Sequence, residues 1–186
     1  MPFSQDADAQ IAGINQMIKS QPKMQLYFED VRPGDLLPGL SKGPITTVHL
    51  VRWSAAMENW HKIHYDAKFA VEHDKLPGLL VNGSFKQQFI MQLLKDWAGL
   101  AGWAWKARFR FRAMDLVGST LDVWARVRDT IRLDGYGLVD LELAIRNQEG
   151  KDTTTGEGVV ALPLRDGGRV PYPFIAPPID PWQKPG

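Results

Sequence analysis

The chain contains no cysteine, which removes disulfides, thiolate metal sites and a cysteine nucleophile together. It also lacks a long apolar run: no stretch reaches the roughly 18 residues expected of a membrane span. An excess of one charge is missing too, with 22 Lys and Arg against 21 Asp and Glu, a net of +1. So even a balance argues against nucleic acid or an acidic membrane surface as the main partner. Met1–Gln21 is polar and has no signal-peptide core. Together with the missing cysteine, this gives the expectation of a cytoplasmic protein. There are no internal repeats and no low-complexity tracts of note.

What is present suits one domain with extensions. A chain of 186 residues is long enough for a real core, and seven tryptophans suggest broad packed surfaces shared with another subunit. Residues 1–22 read as an N-terminal extension, with Ile11, Ile14, Met17 and Ile18 at near-helical spacing predicting an amphipathic helix over 5–20. Residues 23–164 read as the domain, and 165–186, rich in Pro and Gly, as an extended tail. The tail carries Tyr172, Phe174, Ile175 and Trp182 among prolines. Such residues cannot build a core alone, so packing across a subunit boundary is expected of them.

Inside the domain, Phe28–Asp35 reads as a polar turn, Ile45–Leu50 as a β-branched strand, and Val51–Trp60 as a helix. Over Gly83–Trp97 the period is helical: Phe85, Phe89, Leu93 and Trp97 recur every four residues beside Ile90 and Leu94. Gly99 is placed to stop this helix. The period then switches to two, with Trp105, Ala107, Phe109, Phe111 and Ala113 alternating with Lys106, Arg108, Arg110 and Arg112. Leu121–Val127, Val139–Ile145 and Thr153–Leu162 read as further strands, separated by the turns Asp134-Gly135 and Glu149-Gly150. One long helix followed by antiparallel strands predicts an α+β fold in which the sheet wraps around the helix.

The chemistry is concentrated in Asn59-Trp60-His61-Lys62-Ile63-His64-Tyr65-Asp66, followed by Leu76-Pro77-Gly78 and Leu79-Leu80-Val81-Asn82-Gly83. Imidazole can both take and give a proton near neutrality. Backbone N–H groups at a helix start can hold a developing oxyanion. His64 is the candidate acid and base, against a purely structural histidine bonded to backbone. His61 either orients His64, binds water or is simply exposed. Asn59 cannot act as a base, but it can hold a water or cap a turn. Asp66 reads as a helix cap. Gly83 either presents its N–H to a substrate carbonyl or permits close backbone packing. His61 and His64 with Asp66 could ligate a metal, but no HExxH pattern and no second ligand cluster support one, so no metal is expected. Ser84 sits in no Gly-x-Ser-x-Gly elbow, which argues against a serine hydrolase. The Lys106–Arg112 row reads as a solvated strand face paired to Asp140 and Glu142; Arg108 and Arg110 are the candidates for contacting phosphates.

This segment resembles the hydratase motif of MaoC-type enoyl-thioester hydratases, whose usual pattern is Asp-x-Asn-Pro-x-His-x-Asp and then Pro-Gly and His-Gly leading into a central helix. Aligned on the last histidine, the chain supplies Asn59, His61, Lys62, His64 and Asp66, so the family's catalytic aspartate is replaced by Asn59. The form Asn-x-His-Lys-Ile-His-Tyr-Asp is similar to a branch that includes mesaconyl-CoA and 3-methylfumaryl-CoA hydratases. The likeness covers Phe28 to Leu164 at fold level and is sharp over Asn59–Gly83. It implies the hotdog fold, hydration or dehydration of a 2-enoyl-CoA, and Gly78 and Asn82 beside Gly83 in the substrate site. It also implies no cofactor beyond the coenzyme A of the substrate, and a homodimer or a heterodimer with another hotdog subunit. Two other readings stay open at this point: a non-catalytic or half-catalytic subunit of a heteromeric hydratase whose partner supplies the aspartate, and an acyl-CoA thioesterase.

Overall fold

The computed structural model describes residues 25–183, so the helix expected over 5–20 lies outside the described residues. Their elements run β1 (Leu40–Lys42), α1 (Thr47–Ala56), α2 (Gly83–Ala98), β2 (Trp103–Phe111), β3 (Leu121–Arg132), β4 (Tyr136–Asn147) and β5 (Asp152–Pro163). The strands form one five-stranded antiparallel sheet in the order β1-β3-β4-β5-β2. This is the α+β arrangement that the switch from helical to alternating period predicts. Among the described residues no helix is long and apolar enough to cross a membrane.

α2 is the centre of the core. Phe89, Ile90, Leu93 and Leu94 are buried on its face toward the sheet. There they meet Val123, Ala125, Leu141, Leu143 and Val160 in one cluster. The helix lies so close to β5 that a Cβ at Gly158 would stand 3.1 Å from Leu94 Cδ1, so the sheet has a glycine where the helix presses hardest. Gly99 ends the helix at φ +71°, a conformation that strains other residues.

The structure corrects several sequence expectations. Ile45–Leu50 is not a strand: a helix starts at Thr47, and β1 lies earlier, at Leu40–Lys42. The N–H of Thr46 donates to His49 Nδ1 at 3.0 Å, a capping contact that outweighs the β preference of a β-branched run. Trp105 does not share the inner face with Ala107 and Phe109. A bulge between Ala104 and Lys106 shifts the register and turns Trp105 outward. The basic row on β2 does not pair with Asp140 and Glu142, because β5, not β4, neighbours β2. Arg108 pairs with Glu157 instead, Lys106 with Asp180, and Asp140 with Arg128.

The described part of the tail also departs from expectation. It lies on its own sheet: Phe174 stacks on Trp103 with ring centroids 5.9 Å apart, and tilts against Trp105. Trp182 Nε1 donates to Asp140 Oδ1 at 2.8 Å. The outward-turned Trp105, together with Tyr136, Leu138, Val159 and Ala161, gives the outer face its own apolar patch, and the tail removes it from water. Phe174→Ala should therefore destabilise the chain by about 1–3 kcal/mol in urea unfolding, with no change of molecular mass in light scattering. A change of assembly without loss of stability would restore a boundary role for the tail.

Candidate active site

α1 ends at Ala56, and the chain reverses through Glu58 at φ +51° so that the Asn59 N–H donates to Ser54 O at 2.9 Å. The histidine motif then folds as a tight turn, Lys62–His64. Asn59 Oδ1 accepts from the His61 N–H at 3.5 Å. The His61 and His64 rings lie 6.2 Å apart. Tyr65 Oη donates to Trp60 O at 2.7 Å and closes the turn from outside. Asp66 Oδ1 accepts from the Phe69 N–H at 3.0 Å, which is the capping role expected of it.

His64 is buried at 7% exposure, while His61 is exposed. The Nδ1 atom of His64 lies 2.8 Å from Leu80 O. A carbonyl only accepts, so Nδ1 carries the proton and Nε2 keeps its lone pair free to act as a base. Burial holds this imidazole below its ordinary value of 6.5; the Leu80 hydrogen bond opposes that shift and the charge of His61 adds to it. At neutral pH His64 is a neutral base.

Leu80 belongs to the stretch that leads into α2. Its N–H donates back to Ile63 O at 3.0 Å, and Val81 N–H donates to Asp115 O at 2.8 Å. Asn82 is the residue before the helix, and Gly83 opens it. As the first helical residues, Gly83 and Ser84 present N–H groups with no partner inside the helix. The Asn82 side chain is fully buried and does not cap that helix; neither its nitrogen nor its oxygen meets a protein partner. The Phe111 ring packs on Gly83, where a Cβ would stand 2.8 Å from Cε2. Gly83 thus has a steric reason to be glycine besides any chemistry. At Gly78 a Cβ would meet only Leu116 Cδ1, at 3.9 Å, so no close approach requires glycine there.

The fold brings Asn59, His61 and His64 into one turn and ties that turn to Asn82 and Gly83 through Leu80. It does not bring Arg108 and Arg110 to that place: they alternate with the core-packed Ala107 and Phe109, and Arg108 lies over Trp182 of the tail. Sequence reasoning missed two contributors. The Leu80 carbonyl is a backbone atom with no sequence signature. Trp53 donates from Nε1 to Ser84 Oγ at 2.9 Å and stacks on Phe85 at 5.0 Å. Beside that pair lies a groove of about 330 Å³ lined by His49, Arg52, Trp53, Ala56 and Phe85. A larger cleft of about 600 Å³ lies near the other end of α2, against Leu93 and Trp97. Neither is lined by Asn59, His61, His64, Asn82 or Gly83, but the smaller groove adjoins the helix start through Trp53, which donates to Ser84, and through Phe85. No group of three or more His, Asp or Glu among the described residues is arranged to hold a metal ion.

The sequence model of a family described as hydroxyacyl-thioester dehydratase type 2 matches residues 40–119. That segment contains both the histidine turn and the start of α2. No curated protein matches the chain. Among solved structures, the (R)-hydratase from A. caviae involved in PHA biosynthesis is 24% identical, covering 73% of this chain and 99% of that one, with TM-score 0.63. The MaoC-like dehydratase from Rhodospirillum rubrum is 18% identical over 75% and 98%, with TM-score 0.65. The ChsH1-ChsH2 complex from Mycobacterium tuberculosis contributes a chain 20% identical over 71% and 98%, with TM-score 0.62. The class is therefore clear: this is a hotdog fold.

A buried neutral histidine has a consequence for stability. Its folded pKa lies below the unfolded one, so the unfolded chain binds the proton first as the pH drops. The stability tied to neutral His64 is complete above about pH 6.5 and is lost as the pH falls through the folded value. The stability difference between the wild-type chain and His64→Gln, from urea titrations at pH 7.5 and 5, should shift against the wild type at acid pH. A pH-independent difference would contradict the buried, neutral assignment.

Proposed function

We propose that the chain is an acyl-thioester hydratase/dehydratase, adding water to a 2-enoyl-CoA or removing it from the 3-hydroxy product. One observation carries this reading. Among the described residues the one hydrogen bond on the His64 ring goes to Leu80 O, and Leu80 leads within three residues to the Gly83 N–H, which has no partner among them. Base and oxyanion donor are thus joined by one short stretch of backbone. The family match over 40–119 supports the same reading.

In the hydration direction the thioester oxygen would accept from the Gly83 N–H, drawing electron density from the double bond. His64 Nε2 takes a proton from water as the oxygen bonds to C3. The π pair moves onto the thioester as an enolate, and the Gly83 N–H stabilises its charge. The imidazolium then returns its proton to C2. Asn59 and His61 position the water; Asn82 offers an amide donor and acceptor to the same space. No cofactor is required beyond the coenzyme A of the substrate.

The motif form Asn59-x-His61-Lys62-Ile63-His64 supports a branched, dicarboxylic enoyl-CoA as substrate. So does the cationic Arg52 on the groove beside Phe85, which would suit a second carboxylate. A dimer fits the open edge of β2, which pairs only with β5 among the described residues and exposes Trp103 and Phe111. A second reading makes the chain one subunit of a heteromer. Asn59 in place of an aspartate favours it, as does the likeness to a chain of a two-protein complex.

Hydration of crotonyl-CoA and mesaconyl-CoA by the purified chain, followed by loss of enoyl-thioester absorbance, tests the proposal. His64→Ala should lower turnover about 10²–10⁴-fold with unchanged circular dichroism. Release of free thiol instead of a hydrated thioester would make the chain a thioesterase. In the same assay His61→Ala should reduce activity and Asn59→Asp should retain or raise it. Silence of His61→Ala, with activity appearing only in Asn59→Asp, would favour the heteromeric reading.

A further inference from the structure

The face of α2 turned to the sheet contains Lys86, Ile90 and Leu94, four apart and all buried. Lys86 breaks its apolar rule. Its side chain is 3% exposed and its ammonium lies 2.7 Å from Asp115 Oδ2, the Asp115 side chain being fully buried. Burying two charges is costly, and an apolar pair of similar size usually serves stability as well or better. A local rule broken inside a core points to a functional requirement.

The contacts of this pair say what it holds. The Lys86 ammonium also donates to Ala113 O at 3.4 Å and lies 5.0 Å from the centre of the Phe111 ring, the ring packed on Gly83. Thr153 Oγ1 donates to Asp115 Oδ2 at 2.7 Å. The Asp115 carbonyl accepts from Val81 N–H, and Val117 N–H donates to Leu79 O at 2.9 Å. Leu116 between them bridges to Leu80. Residues 113–117 are therefore bound step by step to the stretch that orients His64, and the buried pair pins them to the first turns of α2.

We propose that Lys86 and Asp115 are positioning residues: a buried clamp that sets the Leu80 carbonyl against His64 and the Phe111 ring against Gly83. The proposal rests on the hydratase reading for its kinetic arm only. Displacement of either group weakens the transition state more than the bound substrate, because the oxyanion forms only there. Errors of about an ångström in such groups cost about 100-fold.

The test uses the full chain with Lys86→Met and Asp115→Asn combined, so that no charge is left unpaired. Melting temperature, kcat and KM for enoyl-CoA hydration, and ¹⁵N NMR of the His64 ring are read together. The expected result is a cooperative melt with kcat lowered about tenfold or more at nearly unchanged KM. His64 should shift from a single Nδ1–H form to a mixture of tautomers. A folded double variant with wild-type kcat and one His64 tautomer overturns the proposal. If the double variant does not fold, Thr153→Val, which keeps both charges and removes the hydroxyl from Asp115 Oδ2 together with its long 3.4 Å contact to Ile145 O, decides by the same readouts: a fall in kcat at constant KM or a tautomer mixture upholds the clamp, and the absence of both overturns it. A wild-type chain inactive on every enoyl-CoA would sink the hydratase reading, while the tautomer arm still decides the clamp.

Discussion

A helix sealed inside a sheet must start somewhere, and its first turn has N–H groups that the helix itself cannot satisfy. That constraint organises this molecule. α2 starts at Gly83 without a side-chain cap, against a residue whose own amide is buried with no protein partner. A hydrogen bond left unmade at that depth costs about 1–3 kcal/mol per group, so such groups call for an ordered water or a ligand to meet them. The same stretch of backbone that leaves Gly83 open also fixes the proton of His64. Packing, tautomer and the unpaired N–H groups are thus consequences of how one helix is started.

Much of this was legible in the sequence, for identifiable reasons. The period of four in Phe85, Phe89 and Leu93 reports a helix with one buried side, and α2 spans Gly83–Ala98 as that pattern requires. Asp134-Gly135 marks the β3–β4 hairpin, with Gly135 at φ +87°. Asn59, His61 and His64 are neighbours in sequence and stay neighbours in space, because a tight turn cannot separate them. Failures occurred where a short-range signal was overruled. The β-branched run at 45–48 met a capping contact from His49. The alternation through Trp105 met a bulge, which adds one residue and reverses which face the next side chain takes.

Pairings across the fold were the hardest to read. A strand row of Lys and Arg announces that it needs acids, but not which strand will stand beside it. Here the sheet order puts β5 there, so Arg108 finds Glu157. Lys86 is a sharper case. In sequence it is a single cation four residues before Ile90, and only the fold shows that its partner lies 29 residues later. Long-range ion pairs have no local period, so pattern reading has nothing to detect. The contact that held the tail to its own domain was hidden for the same reason, since it depends on a bulge that turned Trp105 outward.

The two faces of the sheet now divide the labour. The inner face is filled by α2, and the outer patch of Tyr136, Leu138 and Ala161 is covered by Phe174 and Trp182. β2 ends the sheet order, and among the described residues no strand lies along its outer edge, which the half-exposed Phe111 flanks. Open edges of that kind are the part of a sheet proteins most often pair or protect. Phe111 also touches Gly83 and faces the Lys86 ammonium. A partner strand laid along β2 would thus press on a residue that shapes the helix start, so assembly at this edge and order at the site are mechanically one problem.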